Sequence, residues 1–146
     1  MAQAEYTWSV ATGQANGNPL VFKFINETPT PDIRQQMPWL TVVSWKYDGS
    51  ENGGMPSDAV NASLIQLEDH LEKIEGEGTL YLPVYSVTGN NLKEFVFHIA
   101  DRERFMENFN QALQGQPVYP IGINFYEDKE WSELAKLHKG VAAGSH

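Results

Sequence analysis

Trp39-Leu40-Thr41-Val42-Val43-Ser44-Trp45-Lys46-Tyr47 is the stretch on which the fold turns. It is dense in β-branched and aromatic residues, the composition of a β-strand. Both of its faces are largely apolar, which suits a central strand covered on two sides. Downstream, Asp48-Gly49-Ser50-Glu51-Asn52-Gly53-Gly54-Met55-Pro56 reads as a flexible loop, after which Ser57 or Asp58 caps a helix. In that helix Val60, Leu64, Leu67, Leu71 and Ile74 recur at steps of four and three, forming one apolar stripe, and Gly76 and Gly78 end it. Thr79–Thr88 alternates with period two and returns through Gly89-Asn90-Asn91 into Leu92–Ala100, a hairpin. Asp101 caps a second helix with Phe105, Phe109, Ala112 and Leu113 on its inner side, and Gly115 and Pro117 stop it. Val118–Tyr126 is a last strand, and Asp128 caps a short closing helix carrying Trp131, Leu134, Ala135 and His138.

Upstream of the deciding strand, Glu5–Thr12 alternates as a strand, and Asn16-Gly17 supplies the positive φ values of a tight turn. Leu20–Ile25 is the returning strand, and the segment holding Pro29, Pro31 and Pro38 breaks regular structure. The order is β-β-β-α-β-β-α-β-α. From Trp39 onward it contains β-α-β-β-α-β, so the expected class is α+β with a ferredoxin-like core, an N-terminal β-hairpin and a short C-terminal helix. That arrangement makes Trp39–Tyr47 and Leu92–Ala100 central and puts both main helices on one sheet face. The hairpin should extend the sheet at an edge rather than roof it. Residues 1–146 read as a single α+β domain with an ordered core over about 5–138 and a flexible tail at 139–146.

Composition narrows the function classes. Cysteine is absent, which excludes disulfides, thiolate metal sites and a cysteine nucleophile. With 19 acidic against 10 basic residues the net charge is −9, and the basic residues form no cluster. Nucleic acid and anionic membrane are therefore disfavoured as partners, because phosphate binding needs grouped Lys and Arg. No apolar run approaches the roughly 18 residues needed to span a bilayer, and the start lacks a secretion signal, so the expected location is cytoplasmic. On that expectation the sequons Asn26-Glu27-Thr28 and Asn61-Ala62-Ser63 read as chance matches.

Motifs for nucleotide binding and for a serine nucleophile elbow are missing. The run Asp48-Gly49-Ser50-Glu51-Asn52 resembles a calcium loop only superficially. His70 lies among solvated charges, and His138 suits a helix C-terminus. No cofactor or metal is expected. His98 is the more interesting histidine. Within its strand it shares a side with Glu94 and Val96, opposite Phe95, Phe97 and Ile99, which suit the helix-covered face. Counting by two puts Trp39, Thr41, Val43, Trp45 and Tyr47 with His98, together with Thr79, Tyr81, Tyr85, Asn124 and Tyr126. The candidate site is this aromatic field, with Trp45, Tyr47, Tyr85, His98 and Tyr126 as binding residues and an open rim near Trp45, Tyr47 and His98. Three uses compete for it: a second core layer, a surface for a protein partner or for self-association, and a small-molecule pocket. A non-catalytic protein-binding or regulatory domain is the leading reading. A small-molecule-binding domain, or an enzyme using His98 with Glu94 or a tyrosine, is the alternative.

Several motifs in order also resemble a known family. They are Trp45-Lys46-Tyr47, Gly54-Met55-Pro56, Leu67-Glu68-Asp69, Thr88-Gly89 before Lys93-Glu94-Phe95, Tyr119-Pro120-Ile121, and Glu127-Asp128 with Glu130-Trp131. Together they resemble the bacterial family catalogued as domain of unknown function 695, over about Tyr6 to Leu137. The resemblance implies a cytoplasmic bacterial protein with no assigned reaction, cofactor or functional residues. Members look distantly similar to regulators that inhibit ribonuclease E by binding it, which implies a protein-binding regulator. His98 stands where the family pattern implies tyrosine.

Overall fold

The computed structural model describes residues 6–72, 81–116 and 119–144. The expected helix end at Ile74, Gly76 and Gly78, the strand start at Thr79, the stop at Pro117 and Val118 all lie outside the described residues. The elements are β1 (Trp8–Ala15), β2 (Asn18–Ile25), α1 (Pro31–Gln36), β3 (Trp39–Lys46), a short 3-10 turn (Ser50–Asn52), α2 (Asp58–Glu72), β4 (Tyr81–Gly89), β5 (Leu92–Ile99), α3 (Arg102–Ala112), β6 (Ile121–Glu127) and α4 (Ser132–Gly144). Among the described residues, six strands form one antiparallel sheet in the order β1-β2-β4-β5-β3-β6.

Local chemistry explains most boundaries. Asn16 (φ 54°) and Gly17 (φ 80°) take the left-handed conformations of a two-residue turn, so β1 and β2 pair without interruption from Trp8↔Ile25 to Ala15↔Asn18. This hairpin extends the sheet beside β4. Ser57 Oγ accepts from Val60 N (3.2 Å) at the start of α2, and Asp101 accepts from the Glu103 and Arg104 amides at the start of α3. The proline-rich segment is not wholly irregular: Pro31 opens the six-residue helix α1, where its missing N–H costs nothing. The loop after β3 is pinned rather than loose. Tyr47 Oη donates to Gly54 O (2.8 Å), Asn91 N donates to Gly54 O (2.9 Å), and Gly49 N donates to Asn91 Oδ1 (2.8 Å). The closing helix α4 runs through the expected boundary at His138 to Gly144.

Two apolar clusters lie on the two sides of the sheet. On one side Leu64, Leu67 and Leu71 of α2 and Phe105 and Phe109 of α3 pack against Val43, Trp45, Tyr81, Phe95, Phe97 and Ile99. On the other, Trp131 and Leu134 pack with Met37, Leu40, Val84 and Val96, and Ile33 of α1 adds to them. α1 and α4 thus cover only part of the second face, and that gap positions the site described below.

One glycine is indispensable to the join between β2 and β4. Gly89 adopts φ +140°, and a Cβ there would lie 2.3 Å from the carbonyl oxygen of Pro19. Gly17 also has positive φ, but no described residue lies within 4 Å of its added Cβ. Gly89→Ala is therefore expected to cost about 1–3 kcal/mol, and Gly17→Ala about 1 kcal/mol. Urea unfolding of the two variants checks the ranking, which the reverse order would contradict.

Candidate functional site

The register decides which side chains share a face. Trp39, Thr41, Val43 and Trp45 lie directly opposite Ile99, Phe97, Phe95 and Lys93 of β5. Directly opposed residues point to the same side. The odd-numbered residues of β3 therefore face α2 and α3, not His98. Trp45, with its ring 5.5 Å from that of Tyr119, and Tyr47 are buried in that core. This corrects the expectation that Trp45 and Tyr47 share an open face with His98. Counting by two was right within β3 and β5, but a one-residue offset between strands exchanges every side chain, and both faces of β3 are apolar. Tyr81 and Tyr85 are likewise separated. A register shift between Pro83 and Tyr85 inserts a bulge, leaving Tyr81 with α2 and α3 while Tyr85 aligns with Val96 on the opposite face.

Three of the five candidate residues, Tyr85, His98 and Tyr126, do share that second face. Across the sheet, Leu82, His98, Leu40 and Tyr126 form one row. Tyr85, Val96, Val42 and Asn124 form the next, and Val87, Glu94, Ser44 and Gly122 the one after. The three rows have different fates.

The His98 end of the first row is sealed. Trp131 stacks flat on the His98 ring at 3.8 Å and 3°, and both side chains are essentially inaccessible. The Met37 carbonyl accepts from Trp131 Nε1 (3.1 Å) and from His98 Nδ1–H (3.0 Å), which fixes the imidazole tautomer. The indole N–H is shared with the Arg34 carbonyl (3.2 Å). His98 Nε2 has no hydrogen-bond partner among the described residues and lies 3.9 Å from Asp128 Oδ2. Burial pushes His98 down to about 4, against the opposing pull of the Met37 hydrogen bond and the Asp128 charge. The rim expected to be open at His98 is closed.

The Leu40–Tyr126 end of the first row, together with the other two rows, floors a groove of about 430 Å³ between the sheet and the start of α4. Leu40, Val42 and Val96 supply its apolar floor, and Glu94, Tyr85, Glu133, Asp128, Glu127 and Tyr126 stand around it, with Ser44, Asn124 and Ser132 between them. Four of these residues are carboxylates and none is Lys, Arg or His. Three of the acids have other engagements. Glu127 and Glu133 pair with the exposed Lys129 (3.9 Å) and Lys136 (3.0 Å). Asp128 accepts from Ser132 N (2.9 Å), Ser132 Oγ (2.7 Å) and Glu133 N (3.2 Å). Burial works against the Asp128 charge, but these hydrogen bonds hold its carboxyl below the usual range. Glu94 has no hydrogen-bond or ion-pair partner among the described residues, and burial raises its carboxyl above the usual value. Tyr85 is pushed up to about 12 by burial and by Glu133, Glu94 and Asp128. Tyr126 is 53% exposed.

Chemically the lining of this groove is complementary to positive charge and hydrogen-bond donors, with tyrosine rings beside the carboxylates. It is not arranged for acid–base catalysis through His98. Glu94 and His98 are four residues apart along one strand, about 13 Å, too far for direct proton transfer. Among the described residues no three His, Asp or Glu side chains gather as metal ligands. No described helix is long and apolar enough to cross a membrane. Glu133 and Asp128 escaped the sequence reading as site residues, and Glu94 entered it only as a partner of His98, because the three meet only through the register of β5 and the placement of α4. The shared parity of Glu94 and His98 along β5 was the one available signal.

No curated protein and no solved structure matches the chain. A family model does match, over residues 6–135, from β1 through the start of α4. The chain belongs to the family of unknown function DUF695.

Proposed function

We propose that this chain is a non-catalytic binding domain whose acidic groove holds a cationic side chain of a protein partner. The observation that carries the reading is Glu94, a half-buried carboxylate with no counter-charge among the described residues, set in a groove with three further acids. Withdrawing such a group from water is costly unless a cation or hydrogen-bond donor reaches it. The polar walls and the exposed Tyr126 suit a protein interface better than a small-molecule cavity, whose lining is mostly apolar. The accompanying fold reading is ferredoxin-like, supported by the order β4-β5-β3-β6 and by α2 and α3 packing in one cluster.

Calorimetric titration with a capped lysine-rich peptide tests this. Binding is expected to weaken as salt rises and to fall about tenfold in Glu94→Gln, the loss of one desolvated charge contact. Glu51→Gln, in the 3-10 turn and outside the groove lining, should bind like the wild type. Equal affinity of the Glu94 and Glu51 variants, or no binding at low salt, would remove the groove from the function.

A further inference from the structure

Strand β1 carries a second, independent feature. Among the described residues it pairs only with β2, so its other side is a free edge of the sheet. Exposed edges are ordinarily blunted by Lys, Pro, a bulge or an inward charge. Trp8-Ser9-Val10-Ala11-Thr12-Gly13-Gln14-Ala15 has no charged residue and no proline, and its register is unbroken over all eight positions. Trp8 and Val10 are 42% and 67% exposed.

The turn tells which backbone groups are free. A two-residue hairpin makes its flanking pair, Ala15 and Asn18, hydrogen-bonded, and the pattern then alternates along the strand. The bond from Asn26 N to Thr7 O (2.9 Å) confirms that odd-numbered residues bond toward β2. The N–H and C=O groups of Trp8, Val10, Thr12 and Gln14 therefore project outward from the edge.

We propose that β1 is a self-association edge, pairing antiparallel with β1 of a second copy about a two-fold axis at Ala11. That register opposes Trp8 to Gln14 of the other copy and Val10 to Thr12, and it engages all four outward residues at once. About eight backbone hydrogen bonds result, within the range of about ten that a typical interface carries. Small side chains meet at the axis, since Ala11 opposes its own counterpart and Ser9 opposes Gly13 on one face of the joined sheet. A second copy is the favoured occupant because the edge is uncharged and self-complementary in register. It is also isologous, the commonest symmetry of soluble oligomers. With a net charge of −9 on each copy, association should strengthen with salt, opposite to the groove's cation binding.

The absence of cysteine makes the test direct. Under mild oxidation Ala11→Cys should form a disulfide-linked dimer, because the two positions face each other at bridging distance, whereas Ser9→Cys should not. In sedimentation up to about 1 mM protein, the weak end of specific affinity, the wild type should dimerise. Thr12→Pro should stay monomeric with an unchanged circular dichroism spectrum, since it removes an outward N–H and leaves the β1–β2 ladder intact. A wild type monomeric throughout, or Ser9→Cys linking as readily as Ala11→Cys, would overturn the proposal. The cysteine comparison stands even where the proline variant fails to fold.

Discussion

Trp131→Ala is expected to lower stability by about 3–5 kcal/mol, the range for removing a large buried aromatic. Trp131 is 1% exposed and joins three elements at once. Its ring covers His98 of β5, its N–H bridges the carbonyls of Arg34 and Met37 at the end of α1, and its position sets the start of α4. It holds this place at φ +55°, a left-handed conformation that a non-glycine residue adopts at a cost. Alanine would keep that backbone cost and lose the packing and the indole hydrogen bonds. Trp131→Phe should recover part of the loss through stacking while leaving the N–H bonds unmade. Denaturant unfolding separates the three proteins, and a loss under about 1 kcal/mol for the alanine variant would mean that α4 docks without this anchor.

Acid should destabilise the fold through His98. Its folded pKa, about 4, lies below the unfolded value of 6.5. Between those values the unfolded chain takes up a proton that the folded chain refuses. The contribution of His98 is thus fully present above pH 6.5 and is lost as pH falls toward 4, on the order of 3 kcal/mol in total. The window from pH 6.5 to 5 is the cleanest. Below it, Glu27 and Asp128, whose carboxyls are lowered in the fold, also lose stabilisation on protonation, while the raised Glu94 is relieved by it. His98→Phe keeps a ring under Trp131 and removes the titration, so its stability should be nearly flat across that window. Unfolding curves at stepped pH decide this, and an equal slope in both proteins would assign the acid sensitivity elsewhere.

The limits of the sequence reading follow the same physics. Signals contained in a few neighbouring residues were legible: the Asn16-Gly17 turn, the caps at Ser57 and Asp101, the apolar stripes of α2 and α3, and the strand at Trp39. Helix α1 had a readable start in Thr30-Pro31-Asp32, outweighed by the prolines around it. What depends on the offset between strands was not legible. Trp45 and His98 each sit on a strand with two plausible faces, and only the pairing Trp45↔Lys93, one place from Glu94, puts them on opposite sides. The bulge between Pro83 and Tyr85 similarly divides two tyrosines that simple alternation unites. The candidate site therefore kept Tyr85 and Tyr126, placed His98 behind its wall, exchanged Trp45 and Tyr47 for core positions, and gained Glu94 and Glu133.

The most direct test of the groove is where a cationic peptide lands. In an amide chemical-shift titration with the lysine-rich peptide, the largest shifts should fall on Ser44, Glu94, Asn124 and Ser132, with Leu64, Leu67 and Phe109 on the far side of the sheet unmoved. In Glu94→Gln the same peptide should leave the Ser44 and Asn124 signals nearly in place. Shifts that follow exposed acids over the whole surface, or that centre on α2 and α3, would contradict the account.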